Sequence, residues 1–510
     1  MRAVRFLAAA CAAACACAVL TDARAAAVQK KYRLVRLGDD GTKQHPPGPY
    51  LTAPSTCTPD LPAEALAQLP PERRLLPEIL GPLFDPADFD EISVAGDGKL
   101  LALATSVSEQ GVPGLTKQIL ILGEGPGAVP VRVPLAGVSD DQPAVQLDEF
   151  GYRCVFRSAP SPGGSPSNIQ LYSFTDDPLP EVTGTVAVTE GTSETSFDPA
   201  FTARIRVRDL GGGLKKRERD ARVVFVSTDD LVEGENPDNL EQLFQWREQG
   251  ATFVQLTHHT NPDAHLNRPS ISKSGDIVDF ECTADLVPGA VDPLDASRVG
   301  NPDHVRQIFR WRRGRGIQQL TWSDGDCFSP RTDPNGRFVL FASRGDPITG
   351  GNPEKNLEIF QWVASAKPHL RLRQLTQAKE GDSVFPRPTL NPKVFTFFST
   401  CIPPQPAEGS NPAVKFGDRH ECTPQALLYD HGKIVHIHGL LDIENAVRVI
   451  QDPTAIPVLT GPPAPGIHPL KIYFATNDPK LNPRPAPGED PDTTASIFAF
   501  HVAMATRYAK

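Results

Sequence analysis

Seven short runs in which apolar residues follow one another almost unbroken recur along the chain, at 100–106, 152–158, 221–227, 277–283, 337–343, 393–399 and 471–477. Each is β-branched or aromatic and ends in a small polar residue, so each predicts a strand. A second predicted strand follows each run across a polar loop, at 117–123, 168–174, 241–247, 306–312, 357–363, 425–431 and 495–501. Three of these share one pattern: LFQW at 243–246, IFRW at 308–311 and IFQW at 359–362. A third strand ends in Leu-Thr at Leu256-Thr257, Leu320-Thr321 and Leu375-Thr376. A polar stretch with a recurring proline then leads into the next unit: Pro143, Pro199, Pro269, Pro330, Pro386 or Pro388, and Pro453.

The period is irregular, roughly 55–70 residues, with about four strands in each. A four-stranded antiparallel sheet cannot bury both faces alone, and radial stacking solves that problem. The expected fold is therefore all-β, a seven-bladed β-propeller of four-stranded antiparallel blades, with six blades as the alternative. The last unit stops near His501 without its outer strand, and residues 32–37 (YRLVRL) can supply one. The expected organisation is a leader at 1–25, an N-terminal closing strand at 26–38, a proline-rich strap at 39–89 and the propeller at 90–510.

Composition supports short elements. The 510 residues include 52 Pro and 40 Gly, and proline interrupts both helices and central strands. Arg2 and Arg5, the apolar run 6–20 and Ala23-Arg24-Ala25 read as a secretory signal peptide cut near Ala25, with an uncut anchor as the alternative. Lipidation at Cys11, Cys15 or Cys17 is disfavoured, because no full apolar run precedes a Leu-x-x-Cys box. No later stretch approaches a span, so no membrane insertion of the mature chain is expected. The expected location is periplasmic or secreted.

The net charge is −10, which argues against general nucleic-acid binding. The mature chain keeps Cys57, Cys154, Cys282, Cys327, Cys401 and Cys422. An even number in an exported chain permits disulfides, and Cys401 with Cys422 is the preferred pair, since both flank one loop between strands expected to pair.

The repeats resemble the TolB-like (WD-repeat-like) β-propeller family over most of 90–503. Three motifs carry the likeness. One is P-x-x-S-x-x-G, kept at Pro269 to Gly275 and, without the serine, at Pro330 to Gly336. The second is D-L-V-P-G, seen as DLVEG at 230–234 and DLVPG at 285–289. The third is I-F-x-W followed by the Leu-Thr strand. The resemblance implies a fold and, through TolB-like proteins, protein–protein contact.

Candidate chemistry lies in the loops joining one unit to the next. Asp140, Asp141, Asp263, Asp324, Asp326, Glu380 and Asp382 could gather into an acidic ring at the channel mouth. Such a ring could bind a basic partner segment or a divalent cation; the plain alternative is that they serve turns. His258, His259 and His265 are weak candidates for metal ligands, needing partners from other blades. The loop 229–239 is acidic but lacks calcium-loop spacing, and the basic tip at 215–219 reads as a solvated hairpin end or a docking finger. No nucleophile elbow, His-Glu-x-x-His or phosphate-loop motif occurs. The leading expectation is a monomeric, non-catalytic scaffold without a resident cofactor, binding a protein or a cell-envelope polymer through one face. The alternative is a metal-dependent polysaccharide lyase or hydrolase.

Overall fold

The computed structural model describes residues 139–399 except 149–150, 161–164, 175–183, 194, 378–381 and 389–391. Beyond that span it describes 31–37, 43–44, 51–52, 89–94, 100–107, 116–123, 131–133, 414–415, 425–430, 433–436, 454–456, 467–476 and 496–505. The leader, most of the strap, Glu380, Cys57, Cys401 and Cys422 lie outside the described residues. The regular elements among the described residues are all strands apart from a 3-10 turn at Pro368–Leu370.

Successive stretches of chain form separate four-stranded antiparallel meanders. The first sheet is Phe89–Val94, Leu100–Val107, Thr116–Gly123 and Val131–Arg132. The second is Ser139–Asp148, Gly151–Ala159, Asn168–Phe174 and Gly184–Ala187. The third is Ser196–Thr202, Arg222–Ser227, Gln242–Arg247 and Thr252–Gln255. The fourth is Leu266–Ile271, Ile277–Cys282, Gln307–Arg312 and Gly316–Gln319. The fifth is Cys327–Thr332, Phe338–Ser343, Glu358–Val363 and Leu372–Gln374. The sixth is Ser383–Pro388, Val394–Ser399, Gln425–Asp430 and Lys433–His436. Downstream, Thr454–Ile456, Ile467–Thr476 and Ser496–Ala505 pair in order, and Lys31–Leu37 pairs antiparallel with Ser496–Ala505. A two-stranded ribbon, Ile205–Gly211 with Leu214–Arg219, interrupts the third sheet between its first and second strands.

The core lies between sheets. Side chains alternate across a strand, and here both faces are covered. Val223 and Phe225 pack with Val155, Ile169 and Leu171 of the second sheet. Val224 and Val226, their neighbours in sequence, pack with Leu266, Val278 and Phe280 of the fourth. Two sheets further on, Val339 and Phe341 meet Ile308 and Leu320 of the fourth, while Leu340 and Ala342 meet Phe395 and Phe397 of the sixth. This two-sided burial is why the runs read as unbroken apolar sequence. Each such Val, Leu or Phe stabilises the fold by about 1.5–3 kcal/mol.

One cross-strand pair repeats in three sheets. Phe225 stacks on Phe244 at 6.2 Å, Phe280 on Phe309 at 5.9 Å and Phe341 on Phe360 at 5.7 Å between ring centres. The first strand of each sheet contacts the first strand of the next, from Phe89–Val94 through to Thr454–Ile456, which in turn contacts Phe89–Val94. Meanders stacked through their first strands are a propeller-type arrangement.

Candidate functional site

Where the first strands meet, one irregularity recurs. Gln142, Asp198, Arg268, Ser329 and Phe385 have positive φ, between 50° and 52°. Each immediately precedes a proline: Pro143, Pro199, Pro269, Pro330 and Pro386. The pairing with the second strand slips at each point, which is a β-bulge. Proline brings no N–H to a ladder and keeps its predecessor out of the right-handed helical region. A bulge re-aims a side chain and increases local twist. The recurring proline therefore presents one chosen side chain per sheet toward the neighbouring sheets.

Those side chains are joined. Gln142 Nε2 donates to Asp198 Oδ1 at 3.1 Å, and the Asp198 amide donates to Gln142 Oε1 at 2.8 Å. The Arg268 amide donates to Asp198 Oδ2 at 2.8 Å, and Arg268 Nη1 donates to Ser329 Oγ at 2.5 Å. The Ser329 amide donates to Glu281 Oε2 at 2.6 Å. The Arg268 guanidinium lies 5.5 Å from the Phe385 ring centre. The second to sixth sheets are thus linked side chain by side chain.

Charge is concentrated behind this belt. Asp141 faces Arg157, its partner in the ladder, with Nε to Oδ1 at 2.6 Å and a second bond from Nη2 to Oδ2. Glu281 is buried, with Arg306 Nη1 at 3.8 Å. Arg306 also lies 5.2 Å from the Phe328 ring centre. Burial pushes the Asp198 carboxyl above the usual range, although the amide and charge of Arg268 and the charge of Arg157 oppose it. Burial does the same to Glu281, against the charge of Arg268, the Ser329 amide and Arg306. Chemically, the belt is a low-dielectric mixture of carboxylates and guanidiniums whose hydrogen bonds hold sheets together.

The carboxylates expected at the channel mouth separate into groups. Asp140 and Asp141 are buried on the first strand of the second sheet. Asp326 Oδ1 accepts the Arg306 amide at 2.9 Å, and Asp382 Oδ1 accepts the Leu357 amide at 2.8 Å. Both clasp the start of one sheet to the third strand of the sheet before it. Glu241 does the equivalent in reverse, taking the Leu266 amide at 2.9 Å. Asp263 and Asp324 are exposed, and Asp324 accepts the Asp346 amide and the Lys355 ammonium. His258 is exposed, His259 bonds through Nε2 to the Glu241 carbonyl at 2.6 Å, and His265 lies 3.5 Å from the Glu241 carboxylate. Among the described residues, no group of three or more His, Cys, Asp or Glu is arranged to hold a metal ion.

Other repeated residues prove to be clasps. Thr257, Thr321 and Thr376 donate to Gln242, Gln307 and Glu358, and accept the amides of Leu243, Ile308 and Ile359. Asn236, Asn301 and Asn352 each donate to three backbone carbonyls, closing the loop after the second strand. In the acidic loop 229–239, Asp230 likewise accepts the amides of Gly234 and Asn236. Cys154, Cys282 and Cys327 are buried free thiols.

The belt residues carry no motif of their own in the sequence. Their signal is positional, one place before the repeated proline.

No family model and no curated protein matches the chain. Solved structures resemble it with low identity. An oligogalacturonate lyase from Vibrio parahaemolyticus gives a TM-score of 0.45 at 11% identity, covering 84% of this chain and 93% of that one. TolB from Acinetobacter baumannii gives 0.28 at 11% identity, covering 72% and 79%. The tricorn protease gives 0.38 at 12% identity, covering 82% of this chain but only 36% of the protease. These proteins differ in activity, and at this degree of likeness no activity transfers to the chain.

Proposed function

We propose that the chain is an exported, non-catalytic β-propeller scaffold of seven blades, which binds a protein or a cell-envelope polymer through one face. One observation carries the scaffold reading. The polar groups at the first strands are engaged with one another across sheets: Gln142 with Asp198, Asp198 with Arg268, Arg268 with Ser329. Groups engaged in this way hold the blades in place. A catalytic acid or base has to face a substrate proton within hydrogen-bond reach instead. Asp326 and Asp382 are similarly committed to backbone amides. Asp263 and Asp324, in the connections between sheets, are exposed carboxylates offered to a partner, Asp324 also holding the Asp346 amide and the Lys355 ammonium.

Ring closure by the N-terminal strand belongs to the same proposal. It is supported by the pairing of Lys31–Leu37 with Ser496–Ala505 and by the contact of Thr454–Ile456 with Phe89–Val94. Closure by an added strand ties the two ends of the chain into one sheet.

Two measurements on the purified protein test the function. Sedimentation with envelope polymer or a partner protein should be weakened by Asp263→Ala with Asp324→Ala. Elemental analysis after dialysis, with assays for unsaturated uronate product and for new reducing ends, addresses the metal-dependent lyase or hydrolase. Stoichiometric metal together with turnover would replace the scaffold reading.

A further inference from the structure

The ribbon Ile205–Gly211 with Leu214–Arg219 is packed into no sheet. Both of its faces are largely exposed. Its last pair is Gly211 with Leu214, so Gly212 and Gly213 form the turn, with φ of 61° and 82°. Two positive φ values make a tight turn that follows strand twist. At about 3.3 Å per residue the ribbon reaches about 20 Å beyond its base.

Its composition opposes that of the whole chain. Six basic residues, Arg206, Arg208, Lys215, Lys216, Arg217 and Arg219, stand against Asp209 and Glu218, in a protein of net charge −10. Directly paired residues share a face, so Arg217 lies beside Val207 on one face and Lys216 beside Arg208 on the other. Basic groups therefore line both sides of the shaft. The tip is apolar: Leu210 is 55% exposed and Leu214 is 68% exposed.

Its position adds to this. In a meander, the turn after the first strand and the turn after the third lie at the same end. The ribbon replaces the former in the third sheet, and Gln249 of the latter donates to the Arg219 carbonyl at 2.7 Å. In the fourth sheet the corresponding turn carries exposed Arg312, Arg313 and Arg315. Asp263 and Asp324 belong to connections at the opposite end.

We propose that this ribbon docks the protein onto an anionic phospholipid surface. Leu210 and Leu214 enter the boundary between headgroups and acyl chains, and the shaft's Lys and Arg side chains lie at the level of the lipid phosphates. Apolar tips with basic flanks bind interfaces in this way, through buried area and attraction to anionic lipid together. A soluble polyanion would be met by the charges alone and would leave both leucines in water. The docking proposed is peripheral, because the ribbon's two tip leucines reach only the boundary between headgroups and acyl chains. It is independent of what the acidic end binds.

Vesicle flotation of the purified protein tests it. Binding is expected to phosphatidylcholine vesicles containing about one-third phosphatidylglycerol and not to phosphatidylcholine alone. Leu210→Ser with Leu214→Ser should weaken it about tenfold or more, as should Lys215→Glu with Lys216→Glu and Arg217→Glu. Replacing 205–219 by a short Gly-Asn turn should abolish it. Thermal melts should stay unchanged; if charge reversal lowers one, the leucine pair decides. Absence of binding to anionic vesicles would overturn the proposal, as would full binding by the leucine variant. Tighter, leucine-independent binding of soluble polygalacturonate would assign the ribbon to an acidic polymer instead.

Discussion

Gly336 shows how little room a single position has. Its φ is +66°, and an added Cβ would lie 2.3 Å from Ile277 Cδ1 in the preceding sheet. Gly336→Ala therefore adds backbone strain to a clash between two sheets, and should lower unfolding free energy by about 2 kcal/mol. Ile277→Val removes the obstructing methyl, so a double-mutant cycle by urea titration should recover part of that loss. Additive effects would mean that the strain is purely backbone.

Asp198 makes a prediction of the opposite sign to most carboxylates. Burial raises its pKa in the folded protein. The native state therefore holds that proton more tightly than the unfolded chain does. Its contribution to stability is greatest below the unfolded carboxylate pKa, about 3.9, falls as pH rises through the raised native value, and is flat above it. The stability of wild type relative to Asp198→Asn should decline across that window. A relative stability that rises with pH would show that Arg268 and Arg157 outweigh burial.

At the scale of elements, the threonine closing each repeat is a fastener. Thr321 donates to Gln307 Oε1 at 2.7 Å and accepts the Ile308 amide at 2.9 Å, all buried. Thr321→Val leaves the Ile308 amide unpaired, while Gln307 Oε1 keeps the Ser323 amide at 3.0 Å, at a cost of about 1–3 kcal/mol, whereas Thr321→Ser should keep most of the stability in a thermal or urea melt. The strands carrying the free thiols are as well shielded. Burial pushes the Cys327 thiol up to about 11 and the Cys282 thiol up to about 12, and raises that of Cys154 further. Mass spectrometry after brief native alkylation should find these three unlabelled, and denaturation should expose them.

The second and third strands of each sheet were legible because covered strands announce themselves as apolar runs. Asn168–Phe174 begins and ends where its pattern does, and Phe338–Ser343 starts one residue inside its run. The first strands were legible only as a proline in polar surroundings. SFDPAFT and CFSPRT keep a ladder on one side and a bulge at the proline, so neither alternation nor an apolar run marks them. The belt was hidden for a related reason, since Gln142, Asp198, Arg268, Ser329 and Phe385 share a backbone conformation and no chemistry. The acids at the sheet starts were found, but composition could not show that Asp326 and Asp382 spend their oxygens on amides of the preceding sheet.

Across the whole molecule, seams are held by ion pairs as well as by apolar packing. Arg153 of the second sheet makes two bonds of 2.7 Å to Glu248 of the third. Within the fourth sheet, Arg310 pairs with Asp279 in full burial and lies 4.7 Å from the Trp362 ring centre of the fifth. Asp279→Ala would strand the guanidinium and should cost about 3–5 kcal/mol, measured by equilibrium unfolding. If the N-terminal strand closes the ring, deleting residues 26–38 should lower the melting temperature and broaden the transition, because an open stack unfolds from its ends. An unchanged melt would detach that strand from the ring.

The bulge before each proline has a consequence for how such a protein can diversify. A glutamine, an aspartate, an arginine, a serine and a phenylalanine all occupy the same conformation, each at the head of its own sheet. The hinge of the backbone and the identity of the group it carries are thus separate inheritances. Selection could redecorate the molecule's axis one sector at a time while the surrounding walls kept their alignment.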